Sequence, residues 1–318
     1  CGLGTVGSGV FSVILRNASC INDRANCDIN IRQIGARRDN PDCETSNIEV
    51  VRDIFEVATN PDIDIVVELI GGTTVAYDLV MTALKNNKHV VTANKALIAE
   101  HGMEIFAFAA SKGLVVAYEA AVAGGIPIIK GLREGLAANQ INWVAGIING
   151  TTNFILTEMD TKGRDFNDVL VEAQEKGYAE ADPTFDVEGI DAAHKLVILA
   201  SIAFEMPLTL DGLYTDGITQ LEPQDVAYAK ELGYAIKHLG IARQTDQGVE
   251  LRVHPTLVPQ KSMIAGVNDV ANAVMVNADA VGTTLFCGPG AGAEPTASSV
   301  IADIIDVART LDMHPDAK

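Results

Sequence analysis

Two periodicities alternate along the first third of the chain. Ile63-Asp-Ile-Val-Val-Glu-Leu-Ile70, His89-Val-Val-Thr92 and Leu114-Val-Val-Ala-Tyr118 are short runs rich in β-branched residues, and they read as strands. Cys27–Gly35 alternates apolar with polar side chains and reads as a further strand. Stretches of helical period lie between them, from about Thr74 to Lys85 and from about Ala96 to Lys112. Strands alternating with helices predict a parallel, doubly wound sheet, because a parallel connection needs a crossover. Ligands of such sheets bind at the carboxyl ends of the strands. Gly71, Gly72, Thr92, Lys95 and Glu119 all fall at those ends. Lys95 is therefore a candidate contact for a cofactor or substrate, although a lysine after a strand is often simply solvated.

The chain opens on Cys1-Gly-Leu-Gly-Thr-Val-Gly-Ser-Gly9, in which Gly2, Gly4 and Gly7 form G-x-G-x-x-G. The three glycines permit a tight turn, close backbone approach to a pyrophosphate, and helix-to-strand packing. The anion would sit on the N-terminus of the helix that follows, for which Val10–Leu15 is a plausible amphipathic stretch. Gly2, Gly4, Thr5, Val6 and Gly7 are thus candidates for dinucleotide binding. The motif also calls for a strand ahead of it, so we expect one upstream of Cys1. At the end of the next strand, Ala36-Arg37-Arg38-Asp39 offers two cations where a ribose 2′-phosphate would lie, which favours NADP over NAD. A solvated basic loop is the plain alternative. Asp28 lies at the wrong end of that strand to bind a ribose.

The second half reads differently. Trp143–Ile148, Gly248–His254 and Ala273–Asn277 predict strands of a second, antiparallel or mixed sheet. Pro127 is placed to start a helix over Ile128–Leu136. Asn149-Gly150-Thr151-Thr152-Asn153 is a turn that either caps a helix or offers amides and hydroxyls to a ligand. Gly288-Pro-Gly-Ala-Gly292 precedes a closing helix at about 298–311 and is a candidate phosphate loop. The expected division is a dinucleotide-binding domain, 1–119, completed by the C-terminal helix (293–318), and a second α+β domain, 120–292, for substrate binding and dimerisation.

The stretch Gly177–Lys195 carries Glu180, Asp182, Asp186, Glu188 and Asp191 and ends on one lysine. Leu196–Phe204 follows, apolar on nearly every face and therefore a buried helix. Asp191 shares a helical face with Lys195, four residues on. A half-buried lysine among carboxylates is suited to proton transfer. An ordinary structural ion pair has the same spacing.

Composition narrows the partners. The formal net charge of −19 argues against a nucleic-acid partner, and 48% hydrophobic against 20% charged residues fits a chain with a large core. No apolar run reaches membrane-spanning length. The five cysteines lack C-x-x-C spacing, so neither a disulfide framework nor a zinc site is indicated, and a cytoplasmic setting is expected.

Taken together, these segments resemble homoserine dehydrogenase over nearly the whole chain. The segments that carry the resemblance are Gly2–Gly9, Thr92–Lys95, Glu119–Pro127, Gly146–Ile155, the acidic stretch ending at Lys195, and Gly288–Gly292. The resemblance implies a Rossmann-like sheet and NAD(P)H-dependent reduction of L-aspartate 4-semialdehyde to L-homoserine, on the route to threonine, isoleucine and methionine. It makes Lys195 the acid/base, with Lys95 assisting and Asp191 positioning the lysine. It gives Glu180, Asp186, Asp191, Gly150 and Thr151 to the substrate. It gives Gly71, Thr92, Lys95 and Gly288 to the cofactor beside the opening glycines and Arg37 and Arg38. It implies a sodium ion held by Glu119, Val122, Gly124 and Ile126, and a homodimer. The family's longer form carries an ACT-type regulatory domain, which is not expected within these residues. Another semialdehyde or imine reductase of the same fold, or a catalytically silent NADP(H)-binding sensor, would share the glycine motif. A sensor needs no lysine–carboxylate pocket.

Overall fold

The computed structural model describes residues 1–313. It contains two compact units, Cys1–Gly125 with Ala291–Lys318, and Ile126–Gly290.

The first unit holds five parallel strands: β1 (Gln33–Gly35), β2 (Glu49–Val51), β3 (Ile65–Glu68), β4 (His89–Thr92) and β5 (Val116–Ala117). They form two ladders, β1 with β2, and β3-β4-β5. Successive strand residues face opposite sides. Accordingly Val90 packs among Leu79, Leu84, Leu97 and Ile105, while Val91 packs among Val10, Ile14, Val300 and Ile304. Helices therefore cover both faces, Thr74–Lys85 and Lys95–Ser111 on one, Thr5–Arg16 and Ala293–Met313 on the other. This is the α/β, doubly wound, Rossmann-like arrangement expected.

The strand expected over Cys27–Gly35 is shorter than the alternation implied, since only Gln33–Gly35 enters a ladder. A strand exists only where a neighbour takes up its backbone groups. Residues 28–32 instead line a cavity of about 540 Å³, together with Ile63, Ile65 and Val67. Cys1 and Gly2 bridge the two ladders at one end of it. The Leu69 amide donates to the Cys1 carbonyl at 2.9 Å, and the Gly2 amide donates to the Gly35 carbonyl at 2.8 Å.

The second unit is built on a six-stranded sheet. Its strands are β6 (Ile141–Ile147), β7 (Tyr214–Thr215), β8 (Tyr234–Thr245), β9 (Gly248–Pro259), β10 (Ala271–Ala278) and β11 (Gly282–Pro289), in the order β11-β10-β6-β8-β9-β7. Every pairing is antiparallel except β7 with β9. Sequence patterning missed β8, because Ile236–Gly240 is buried at every position and shows no alternation. The helix expected over Ile128–Leu136 also departs from expectation. It is one α-turn, Ile128–Lys130, followed by a π-helical segment, Gly131–Gly135. The closing helix starts earlier than expected, at Ala293.

Lys237, inside β8, is buried. Its ammonium donates to the Val267 carbonyl at 2.6 Å and to Asn268 Oδ1 at 3.0 Å. Burial pushes its pKa down to about 8. Between about 8 and the unfolded value of 10.5, the unfolded chain therefore binds more protons than the folded one, so stability rises with pH in that window. Below the window both states hold the proton and this contribution is flat. Urea unfolding across pH 8 to 10.5 should show that rise in the parent protein and a shallower one in Lys237→Met. Equal slopes would contradict the assignment.

Candidate active site

In the second unit, strand β6 runs through Ile148 and Asn149 directly into the Gly150–Lys162 helix. Asn149 is the N-cap, and its Oδ1 accepts the Thr152 amide at 2.8 Å. Gly150 has no room for a side chain, since a Cβ there would stand 2.8 Å from the Val270 carbonyl oxygen. The Thr151 hydroxyl donates to the Tyr178 carbonyl at 2.6 Å.

The acidic stretch folds beside this turn. A short helix, Thr184–Val187, carries Asp186. Gly189 then turns the chain in a left-handed conformation (φ +82), with His238, Thr215 and Val253 each 3.1 Å from where a Cβ would lie. The helix that follows is Ile190–Phe204, which starts six residues before the apolar run Leu196–Phe204. Asp191 thus sits in its first turn, where a negative charge is favoured by the helix dipole. Leu196–Ala200 are buried, as an all-apolar helix requires.

Lys195 and Asp191 meet as anticipated. Lys195 Nζ donates to Asp191 Oδ2 at 2.8 Å and to the Ile148 carbonyl at 2.8 Å. The side chains are 13% and 6% exposed. With two of three ammonium hydrogens engaged, one remains to meet a ligand. Asn149, which sequence reasoning read only as part of a turn, joins this group. Its Nδ2 donates to Asp186 Oδ1 at 2.7 Å and to Asp191 Oδ2 at 2.9 Å. The signal available in sequence was the N-cap pattern alone, which says nothing of carboxylates distant in the chain. Glu180 is exposed, and among the described residues no hydrogen bond ties its carboxylate to this group. Gly288 lies in β11, opposite Asn272 of β10.

In the first unit the opening glycines divide the work. A Cβ on Gly2 (φ +96) would stand 2.6 Å from the Leu69 carbonyl oxygen, and one on Gly7 would stand 2.0 Å from that of Gly2. Gly4 differs, because a Cβ there would meet nothing within 4 Å. It is the N-cap of the Thr5–Arg16 helix, with no side-chain cap and no acid in the first turn. The helix N-terminus thus has no side-chain cap and open space beside Gly4, which fits a pyrophosphate. Arg37 and Arg38 are exposed just after β1, while Asp39 is tied to Arg52 at 2.7 Å. Asn40, unnoticed in the sequence, donates to the Leu3 carbonyl at 3.0 Å and joins the basic loop to the glycine turn.

Gly71 and Gly72 are left-handed (φ +72 and +73). Glu68, fully buried, holds this loop by accepting the Ile70 and Gly71 amides at 2.8 and 3.1 Å, and it accepts the Thr92 hydroxyl at 2.6 Å. Thr92 is itself fully buried, so its hydroxyl supports the site from behind. Asn94 donates to the Gly72 carbonyl at 2.7 Å and caps the Lys95–Ser111 helix through the Leu97 amide. Lys95 is the first residue of that helix, an end that disfavours cations. Farther on, Glu119 is buried, and its amide donates to Asp303 Oδ2 at 2.8 Å. The turn beyond it is left-handed at Ala123 (φ +55) and Gly124 (φ +42), and the Gly124 carbonyl accepts the Ser299 hydroxyl at 2.6 Å. Among the described residues no group of three or more His, Cys, Asp or Glu could hold a metal.

The family model described as "Homoserine dehydrogenase, NAD binding domain" matches residues 2–119, and the one described as "Homoserine dehydrogenase" matches residues 127–305. The chain belongs to the homoserine dehydrogenase family. The homoserine dehydrogenase of Pseudomonas aeruginosa is 66% identical over 316 residues, covering 99% of this chain and 73% of its own. A crystal structure of the Thiobacillus denitrificans homoserine dehydrogenase superposes with a TM-score of 0.95 at 58% identity, over 99% of this chain and 73% of that one. A hyperthermophilic archaeal homoserine dehydrogenase in complex with NADPH shares 26% identity at a TM-score of 0.82, over 98% of this chain and 96% of that one. This chain is accordingly an oxidoreductase that takes a nicotinamide cofactor and a small-molecule substrate. No described helix is long and apolar enough to cross a membrane.

The contrast between Gly4 and Gly7 gives a direct test. Gly4→Ala should leave the unfolding midpoint near that of the parent and weaken NADPH binding about tenfold, equivalent to roughly 1.4 kcal/mol. Gly7→Ala should lower the midpoint itself, since the added methyl overlaps the Gly2 carbonyl. Fluorescence titration with NADPH and thermal melts check both. Unchanged affinity in Gly4→Ala would contradict the placement of the phosphates.

Proposed function

We propose that the chain reduces L-aspartate 4-semialdehyde to L-homoserine with NADPH, and that Lys195 is the proton donor. The observation that carries this reading is the ammonium of Lys195, pinned by Asp191 and the Ile148 carbonyl with one hydrogen left over. The bound nicotinamide supplies the hydride. Negative charge grows on the aldehyde oxygen as its carbon is reduced. Lys195 stabilises that charge and passes its proton to the oxygen. Asp191 holds the ammonium in place. In the reverse direction the same amine takes up the hydroxyl proton.

Glu180 and Asp186 are the candidate partners of the substrate's ammonium group, with Gly150 and Thr151 on the turn beside them. Lys95 assists next to the cofactor, and Gly2, Gly4, Thr5, Val6, Gly7, Gly71, Thr92 and Gly288 belong to its binding site. Arg37 and Arg38 favour NADP, since paired guanidinium groups suit a phosphate. Glu119, Val122, Gly124 and Ile126 are the candidate oxygen ligands of a sodium ion. Of these, the buried Glu119 and the left-handed turn at 123–124 fit a hard cation held by backbone carbonyls. A cytoplasmic homodimer is the setting this reading favours.

Two measurements test it. Lys195→Ala should lower kcat by about 10²- to 10⁴-fold, the usual weight of a positioned acid, while NADPH binding stays near that of the parent. Turnover within a few-fold of the parent would refute the role of Lys195. Arg37→Ala with Arg38→Ala should raise KM for NADPH about tenfold and leave KM for NADH nearly unchanged, a preference read from initial rates with each cofactor. Parallel changes for the two cofactors would remove these arginines from 2′-phosphate recognition.

A further inference from the structure

Asn149 links Asp186, Asp191 and the start of the Gly150–Lys162 helix. Its two ends face different tasks. The amide oxygen caps the helix through the Thr152 amide. The amide nitrogen spends one hydrogen on Asp186 and the other on Asp191. Asn149 is 4% exposed and Asp191 equally so, which places the bond between them out of water, where it is directional and costly to lose; the bond to the half-buried Asp186 lies nearer the surface. The residue just before it, Ile148, supplies the carbonyl that takes the second ammonium hydrogen of Lys195. One short segment, Ile148–Asn149, therefore fixes Lys195 twice, directly by a backbone carbonyl and indirectly through Asp191 Oδ2, which accepts from both Lys195 and Asn149.

We propose that Asn149 is a positioning residue for the reaction. It holds Asp186 and Asp191 at a fixed separation and thereby aims the third ammonium hydrogen of Lys195 at the substrate oxygen. This rests on the reading of Lys195 as proton donor. Two neighbouring carboxylates repel, and an amide donating to both offsets that repulsion without adding a charge. An aspartate at the same position would cap the helix as well, but it would withdraw both donors and add a third anion. A serine would also cap, while its single hydroxyl cannot donate to two carboxylates. The capping role and the positioning role are thus separable by substitution.

The test compares Asn149→Ser, Asn149→Asp and Asn149→Ala with Lys195→Ala in the full chain, in the direction of homoserine oxidation. Asn149→Ser keeps a cap and should melt near the parent, whereas Asn149→Ala, which loses the cap, and Asn149→Asp, which adds a buried anion beside two carboxylates, should melt lower. All three should lose roughly 10- to 100-fold in kcat, the scale of a displaced catalytic group, with KM for NADP within about twofold of the parent. The solvent deuterium isotope effect on kcat should rise in Asn149→Ser, because the proton step becomes slower once Lys195 is misaimed. Asn149→Ser with parental kcat, or with a loss of kcat that follows only its loss of folded protein, would overturn the proposal. If Lys195→Ala is inactive while Asn149→Ser behaves as the parent, only the role of Asn149 falls. If Lys195→Ala keeps near-parental turnover, the underlying role of Lys195 falls and the proposal with it.

Discussion

The second unit depends on one ion pair, Asp191 with Lys195, set four residues apart on the first turns of a buried helix. An exposed pair of this spacing contributes only about 0–1 kcal/mol. This one is mostly withdrawn from water, so losing one partner leaves an uncompensated buried charge at a cost of about 3–5 kcal/mol. The two members are not equivalent. The helix dipole favours Asp191 in the N-terminal turn and has fallen off by Lys195, the sixth residue, so it gives the lysine no anchor of its own. The lysine is therefore kept in place by its neighbours, namely Asp191, the Ile148 carbonyl and, through Asp191, Asn149. A mostly buried lysine held by a carboxylate and a carbonyl, with a hydrogen to spare, points to chemistry more than to stability.

The first unit meets a different constraint, the close approach of backbone to backbone. Gly2 against Leu69, Gly7 against Gly2 and Gly9 against Ala293 leave no room for a methyl group. These contacts set the Thr5–Arg16 helix and the Ala293–Met313 helix on the same face of the parallel strands. Of the opening glycines of the G-x-G-x-x-G turn, Gly4 is the open one, and it stands at the helix N-terminus. Glu68 gives the unit its buried polar centre. It accepts three donors from the Gly71 loop and Thr92, so that loop is held at the carboxyl end of β3.

Much of this was legible in the sequence because it is local. The β3 and β4 runs, the glycine turn, the helices after Gly72 and Asn94, and the Asp191–Lys195 spacing all rest on periodicity or short motifs. What escaped rests on partners far apart in the chain. Residues 28–32 alternate well yet form no ladder, since pairing is decided by a neighbouring strand. Strand β8 is buried on both faces and lost its alternation, with Lys237 and His238 in its middle adding polar residues to a core position. Asn149 reaches Asp186 and Asp191, which lie 37 and 42 residues away, and no pattern within a motif encodes that contact. Asn40 and Glu68 were invisible for the same reason.

The central claim is that the remaining hydrogen of Lys195 meets the oxygen on which the reaction turns. A crystal structure of the protein with homoserine and NADP bound tests it most directly. The account expects Lys195 Nζ within about 3.2 Å of the homoserine hydroxyl, with its bonds to Asp191 and the Ile148 carbonyl intact. A hydroxyl held by another side chain, with the Lys195 amine out of hydrogen-bonding reach, would contradict it.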